Sequence, residues 1–254
     1  MVRLGQNFLA DPNLLDAIVR DAELAPADVV LEVGAGEGVL TERLAGAAAH
    51  VHTVEIDRGL EAALAPLAAR PGVELHWGDA MKLDLTGFDP APSAVVANLP
   101  YAIATPLILR TIDQLQTVER WTVMVQREIA DRLRATPDSR IYGSPSVQVQ
   151  LACEVKLLRT VDPAVFRPRP RVESAILCLS RTGPGADPAT RELVRAAFAH
   201  RRKSLARSLE HARPGSLSAV RTALRELSIA EDARAESLPP GSFADLAGKL
   251  GESE

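Results

Sequence analysis

Asn98-Leu99-Pro100-Tyr101 holds the residue types best suited to chemistry in this 254-residue chain. It follows the apolar run Ala94-Val95-Val96-Ala97, which reads as a buried strand. The tetrapeptide then emerges at the strand's C-terminal end, the edge at which open α/β sheets bind ligands. An amide side chain and a nearby backbone carbonyl offer two acceptors, which suits the exocyclic amine of a nucleobase. The lone pair of such an amine is delocalised into the ring, so the nitrogen is a poor nucleophile. Accepting its two hydrogens, at the Asn98 side-chain oxygen and the Pro100 carbonyl, draws the nitrogen toward sp³ and aims the lone pair. Tyr101 adds an aromatic face for stacking, worth about 1–3 kcal/mol per base. The same residues also make an ordinary strand-to-loop turn, so the motif has to be weighed with what precedes it.

Upstream, Glu32-Val33-Gly34-Ala35-Gly36-Glu37-Gly38 closes an apolar run and opens a helical stretch. Gly34 and Gly36 let the backbone turn sharply and approach a ligand closely. Glu55 ends the next apolar run, where a carboxylate accepts from both hydroxyls of a ribose. Asp79, in Gly78-Asp79-Ala80, ends the third and is placed to accept from an adenine amino group. One nucleoside cofactor would thus touch three successive strand ends, with Asn98 at the fourth. A dinucleotide fingerprint needs glycine at the sixth position of G-x-G-x-x-G, where this chain has Val39. S-adenosylmethionine has no phosphate and lays its amino-acid end over a Gly-x-Gly loop, so the sulfonium cofactor fits better.

The elements that must position these residues follow a regular rhythm. Apolar runs at 29–33, 51–56, 73–77, 94–97 and 121–125 alternate with helical stretches at 39–49, 60–69 and 106–115. That alternation indicates βαβ units and a parallel sheet covered on both faces; with the sulfonium cofactor favoured above, an α/β Rossmann-like methyltransferase sheet is expected. An alternating segment at 146–155 and an apolar one at 174–179 follow. Thr182-Gly183-Pro184-Gly185-Ala186-Asp187-Pro188 then reads as a linker. Two domains are expected: a catalytic one over 1–181 and a small helical, RNA-binding one over 182–254. Helices are expected there at 189–210, 217–227 and 243–250, with Ser216 and Ser242 as N-caps of the last two.

With 46% hydrophobic residues the chain has enough apolar side chains for one substantial core and a second small one. Its N-terminus shows no Arg-rich leader or apolar signal, and no apolar stretch nears the roughly 20 residues of a membrane span. Cys153 and Cys178 lie in apolar alternating runs without metal-site spacing and read as reduced core thiols. A cytoplasmic protein without membrane contact is expected. His50, His52, His76, His200 and His211 are separated by strand and helix elements and read as incidental, so no metal is expected, and no Ser-His-Asp set is evident. The net charge of −4 argues weakly against nucleic acid, but it conceals a local concentration of cations at Arg195, Arg201, Arg202, Lys203, Arg207 and Arg213.

With these residues in register the chain resembles the small-subunit ribosomal RNA adenine dimethyltransferases, the bacterial KsgA group and its eukaryotic relatives, over nearly its whole length. Leu4-Gly5-Gln6-Asn7-Phe8-Leu9 is similar to that family's start motif, and Asn98-Leu99-Pro100-Tyr101 to its target-adenine motif. Val125-Gln126-Arg127-Glu128, Tyr142-Gly143-Ser144-Pro145-Ser146 and Phe166-Arg167-Pro168-Arg169-Pro170-Arg171-Val172-Glu173-Ser174-Ala175 follow its pattern. So do Ala197-Phe198-Ala199-His200-Arg201-Arg202-Lys203-Ser204-Leu205 and Arg234-Ala235-Glu236. The resemblance implies dimethylation of N6 on two adjacent adenines in the 3′-terminal hairpin of 16S rRNA, within the immature small subunit, by a monomer. It also implies that Asn7 and Leu9 join Gly34, Gly36, Glu55, Asp79 and Asn98 around S-adenosylmethionine. Only Met1, Val2 and Arg3 precede the start motif, where relatives carry a basic extension; a late start codon or fewer RNA contacts would account for that.

Phe166 sits in a stiff segment, because each X-Pro pair disfavours helix. From the residues alone its ring is either a plug beneath the loop or a face presented to a base. The resemblance implies the second, with Phe166 stacking on the flipped adenine opposite Tyr101. Arg167, Arg169 and Arg171 either track a phosphate backbone or form a solvated basic loop; Arg201, Arg202 and Lys203 either bind phosphates or pair within the chain. Two rival functions remain. Erm methyltransferases, which modify a large-subunit adenine, share the start motif, cofactor loop and tetrapeptide. A non-catalytic RNA-binding factor would share the fold, against which the intact cofactor set argues.

Overall fold

The computed structural model describes residues 8–251. Strand β1 (Phe8–Leu9) leads into α1 (Pro12–Asp21), whose start is set by the Asp11 carboxylate. That side chain accepts from the amides of Asn13 at 2.8 Å and Leu14 at 3.2 Å, with Pro12 opening the first turn. The chain continues through β2 (Val29–Val33), α2 (Val39–Leu44), β3 (His50–Glu55), α3 (Glu61–Ala68), β4 (Val73–Trp77), β5 (Ala94–Asn98), α4 (Ala104–Gln114) and β6 (Arg120–Gln126). Next come α5 (Arg127–Leu133), α6 (Ser144–Gln150), β7 (Cys153–Val161), β8 (Phe166–Arg167) and β9 (Ser174–Arg181).

Seven strands form one sheet in the order β4-β3-β2-β5-β6-β9-β7. The first five are parallel neighbours, and β9 runs antiparallel to β6. Val30, Leu31, Val51, Val95, Val96 and Val123 are buried, as strands covered on both faces require. From β2 the order advances through β3 to β4 in one direction, and from β2 to β5 and β6 in the other. Right-handed crossovers therefore put α2 and α3 on one face and α4 on the other. The indole nitrogen of Trp121 fastens α4 to β6 by donating to Thr111 Oγ1 at 3.0 Å. Between β2 and β5 lies the topological switch point, the place where such sheets bind ligands.

Two compact units emerge: Met1–Ala130 with Glu154–Arg181, and Asp131–Cys153 with Thr182–Glu254. The chain crosses between the units at Arg181–Thr182, and residues 131–153 group with the helical unit rather than with the sheet. The reason lies in α6. Its alternation, Ser146-Val147-Gln148-Val149-Gln150, suggests a strand, yet Gly143 donates to Ser146 Oγ at 3.1 Å and Pro145 opens a helical turn. Val147 and Tyr142 then join a core with Leu193, Leu205, Leu224 and Phe243, and the Tyr142 hydroxyl donates to the Leu238 carbonyl at 2.9 Å.

The rest of that unit is α7 (Pro188–Phe198), α8 (Leu205–Ala212), α9 (Leu217–Glu226) and α10 (Pro240–Gly251). The single helix expected over 189–210 is two, broken at Ala199 and restarted after Ser204. Ser216 does sit at the N-cap position of α9, without a side-chain cap hydrogen bond. Ser242 lies inside α10, which starts two residues earlier at Pro240, so it is not a cap.

Candidate active site

Gly34, Glu55, Asp79 and Asn98 stand at or just beyond the C-terminal ends of the adjacent parallel strands β2, β3, β4 and β5. Gly34 follows β2 with φ +86°, in the left-handed region that favours glycine. A Cβ there would lie 3.3 Å from Pro100 Cδ and 3.7 Å from the Asn98 carbonyl oxygen. The glycine loop thus packs against the Pro100 ring and the Asn98 carbonyl at the switch point. Gly36, with φ +57°, is pressed against the start motif: a Cβ there would be 3.2 Å from the Phe8 ring.

Glu55 ends β3 with 3% of its surface exposed. Its Oε2 accepts from the Gly36 amide at 2.9 Å, and its Oε1 accepts from the amides of Ile56 and Asp57, each at 2.9 Å. Before any ligand is considered, this carboxylate already ties the glycine loop to the end of β3. Asp79 lies beyond β4, where Oδ1 accepts from the Met81 amide at 2.9 Å and Oδ2 lies 3.7 Å from Lys82 Nζ. Asn98 closes β5 with its amide half-buried and, among the described residues, without a hydrogen-bond partner. The Pro100 carbonyl accepts from the Ile103 amide at 3.1 Å. A carbonyl oxygen has two lone pairs, so one remains.

Tyr101 is half-buried, and its hydroxyl shares a 2.6 Å hydrogen bond with Ser174 Oγ at the start of β9. Burial pushes its phenol above the ordinary tyrosine range. Ser174 was not singled out from the sequence; the signal was its place where the basic loop meets an apolar strand. Glu32 was also missed, although a carboxylate inside Val29-Val30-Leu31-Glu32-Val33 is a visible anomaly. It is 1% exposed and accepts at Oε2 from Thr41 Oγ1 at 2.5 Å and Thr53 Oγ1 at 2.8 Å. Burial pushes its carboxyl up to about 7, against the pull of both threonine hydroxyls.

Other expectations need correcting. Phe166 is 2% exposed and packs with Leu9, Leu15, Ile18, Val96 and Met124 in the core. β8 pairs antiparallel with β1, setting Leu9 opposite Phe166 and Phe8 opposite Arg167. A ring with no free face has none to offer a base, so in this conformation Phe166 is the plug rather than a stacking platform. Leu9 is likewise a core side chain, leaving only its backbone for a ligand. Asn7 lies outside the described residues. Arg167, Arg169 and Arg171 are exposed, with Arg169 3.7 Å from Asp162. In the helical unit, Arg201 pairs with Glu236 at 3.1 Å, Lys203 donates to His211 Nε2, and Arg202 is exposed. The histidines are not scattered: His50, His52 and His76 gather on β3 and β4 around Glu74.

Among the described residues no helix is long and apolar enough to cross a membrane. The sequence model described as ribosomal RNA adenine dimethylase matches residues 2–251. The chain belongs to the ribosomal RNA adenine dimethylase family. Within this family, it is 42% identical over 248 residues to the ribosomal RNA small subunit methyltransferase A of Rubrobacter xylanophilus, covering 96% of this chain and 92% of that one. The crystal structure of a dimethyladenosine transferase from Plasmodium falciparum matches with a TM-score of 0.84 at 26% identity, covering 96% of this chain and 98% of that one. The 23S rRNA methyltransferase ErmE matches with a TM-score of 0.66 at 29% identity, over 96% of this chain and 100% of that one. As a family member, the chain is an enzyme of the methyltransferase class.

Proposed function

We propose that the protein methylates N6 of two adjacent adenines in the 3′-terminal hairpin of 16S rRNA, using S-adenosylmethionine, and that it acts as a cytoplasmic monomer on the immature small subunit. The observation that carries this reading is the close contact of Gly34, at φ +86°, with Asn98 and Pro100 at the switch point, which brings the glycine loop and the tetrapeptide to one edge of the sheet. The name of the Rubrobacter relative supports the small-subunit assignment.

The residues present fit S-adenosylmethionine. Gly34 and Gly36, both at positive φ, let the loop turn sharply at the end of β2, and Glu55 and Asp79 place carboxylates at the next two strand ends. Gly34 and Gly36 would hold its amino-acid end, Glu55 its ribose and Asp79 its adenine. When bound, it supplies a methyl group on a sulfonium, already an electrophile with a good leaving group. What the chain must add is positioning and polarisation. Asn98, unpartnered among the described residues, is free to accept one amine hydrogen, and the second lone pair of the Pro100 carbonyl accepts the other. Ser174 holds the Tyr101 hydroxyl, fixing the ring that stacks on the base.

Methyl transfer to each purified ribosomal subunit, followed by mapping of the methylated adenines, tests the proposal. Dimethylated adenines in the 3′-terminal hairpin of small-subunit RNA are expected. The ErmE likeness makes large-subunit modification the rival outcome, and absence of transfer to either subunit would indicate an RNA-binding factor.

A further inference from the structure

β3 and β4 carry two alternating pairs, His50-Val51-His52 and Glu74-Leu75-His76. Residues two apart on a strand face the same side. The parallel register sets His52 opposite Glu74 and Val54 opposite His76, so all four polar side chains share one face of the sheet. His50 and His52 lie in the first half of β3, whereas Glu55 and the cofactor cradle lie at its other end.

The hydrogen bonds here leave one polar contact unexplained. His52 is fully buried, and its Nε2 lies 2.8 Å from the Pro90 carbonyl, which can only accept. Nε2 therefore carries the proton. Burial holds the His52 and His76 rings below the ordinary histidine range, so neutral imidazoles are favoured. Nδ1 of His52 then presents a lone pair that accepts from His76 Nε2 at 3.0 Å and also lies 3.4 Å from Glu74 Oε2, itself an acceptor. His50 Nε2 is buried without a hydrogen-bond partner among the described residues and lies 3.7 Å from the same oxygen. Two imidazole nitrogens thus face one carboxylate oxygen inside a partly buried pocket.

A cation resolves this arrangement. Zinc bound tetrahedrally at about 2.0–2.2 Å holds its ligand atoms roughly 3.3–3.5 Å apart. The three candidate ligand atoms, from His50, His52 and Glu74, lie within 4.8 Å of one another, two of the separations being 3.4 and 3.7 Å. A ring N–H donating to a backbone carbonyl, as from His52 to Pro90, is the usual outer partner of a metal-ligating histidine. Phe88 stacks on His76 at 4.1 Å and on His52 at 5.0 Å, fixing both ring planes. We infer that His50 Nε2, His52 Nδ1 and the Glu74 carboxylate form a site for one divalent transition-metal ion of the zinc class. His76 Nε2, 3.0 Å from His52 Nδ1, donates to it in the metal-free protein and stands beside the fourth coordination position when the ion is bound. The imidazole-rich set excludes magnesium and calcium, which prefer oxygen. Bound there, the ion clamps the edge strand β4 to β3.

The test uses the untagged full chain, stripped with chelator and titrated with zinc chloride by calorimetry, with cobalt(II) as a spectroscopic substitute. One ion per chain is expected, with intense visible cobalt bands of four-coordinate geometry and a melting temperature that rises with free zinc. Glu74→Gln, nearly isosteric at a side chain 52% exposed, should weaken zinc binding at least tenfold, as should His50→Ala. A His200→Ala/His211→Ala variant, which removes the histidine pair of the helical unit, should bind as wild type does. Saturable binding weaker than about 100 µM would overturn the inference, as would unchanged affinity in both Glu74→Gln and His50→Ala. The cluster would then be a hydrogen-bonded histidine stack. None of these readouts depends on methyl transfer.

Discussion

Asn98 and Glu32 are polar side chains on neighbouring strands that meet opposite fates. Asn98 stands at the strand end with its amide unspent among the described residues, as the proposed acceptor of an amine hydrogen must. Replacing it by alanine should therefore lower the rate of methyl transfer by about 10²–10³-fold, the usual cost of one positioned polar group at a reacting centre. Affinity for S-adenosylmethionine should change far less. Single-turnover methylation and a calorimetric titration of the same variant separate the two effects; turnover within threefold of wild type would remove Asn98 from the reaction. Glu32, one residue before the end of β2, is sealed beneath the glycine loop and held by Thr41 and Thr53. With its carboxyl at about 7 in the folded chain and near 4.5 when exposed, the folded state binds more protons between those values. The unfolding free energy should accordingly fall as pH rises from about 4.5 to about 7, then stay level with respect to this group. Glu32→Gln keeps an acceptor for both threonines and removes the charge. Denaturant titrations should find that variant more stable than wild type at pH 8 by on the order of 1–3 kcal/mol, with the advantage gone at pH 4.

At the scale of elements, the parallel strands were legible because each combines an apolar run with a chemically distinctive terminus. Gly34, Glu55, Asp79 and Asn98 stand at consecutive strand ends in the structure for the reason their spacing suggested: βα units return the chain to the same edge each time. The misreadings share a different cause. Alternation at 146–150 fits a strand by period, but Pro145 and the Gly143–Ser146 hydrogen bond impose a helix on a segment too short for its period to decide. The histidines on β3 and β4 lie 24 residues apart between His52 and His76, and only strand register, which local pattern does not encode, brings them together. From the residues alone Phe166 stayed open between plug and stacking face, because X-Pro stiffness says that a loop is rigid, not which way its side chains point. Its pairing partner is β1, a two-residue strand that no periodicity reveals. The consequence is measurable. Phe166→Ala should cost about 3–5 kcal/mol of stability, as removal of a buried aromatic does, and Phe166→Leu markedly less. Methyl transfer by Phe166→Leu, measured below its melting transition, should stay close to wild type. Loss of activity in that variant at undiminished stability would restore the stacking role.

For the whole molecule, a net charge of −4 has to coexist with an RNA substrate, so the cations must act locally. Arg201, Arg202 and Lys203 lie on the exposed turn between α7 and α8, which exists because the helix breaks there. Two of the three already have partners: Arg201 meets Glu236 at 3.1 Å and Lys203 meets His211. Magnitudes decide whether that matters. An exposed ion pair contributes about 0–1 kcal/mol, and an RNA phosphate brings a full charge together with release of condensed counterions. On the proposed reading phosphates would outcompete Glu236, and the pairing within the chain would hold the side chains ready. Replacing Arg201, Arg202 and Lys203 together by alanine should leave S-adenosylmethionine affinity unchanged, because none of them belongs to the sheet unit that carries the cofactor cradle. Binding to the small ribosomal subunit should weaken, and the slope of log affinity against log salt should become shallower by roughly 0.7–0.9 for each phosphate no longer neutralised, or about 2–3 in all. Filter binding across a salt series reads both quantities. Unchanged affinity with an unchanged slope would mean that these cations serve only the fold of the helical unit, and the RNA footprint would have to be sought at Arg167, Arg169 and Arg171 instead.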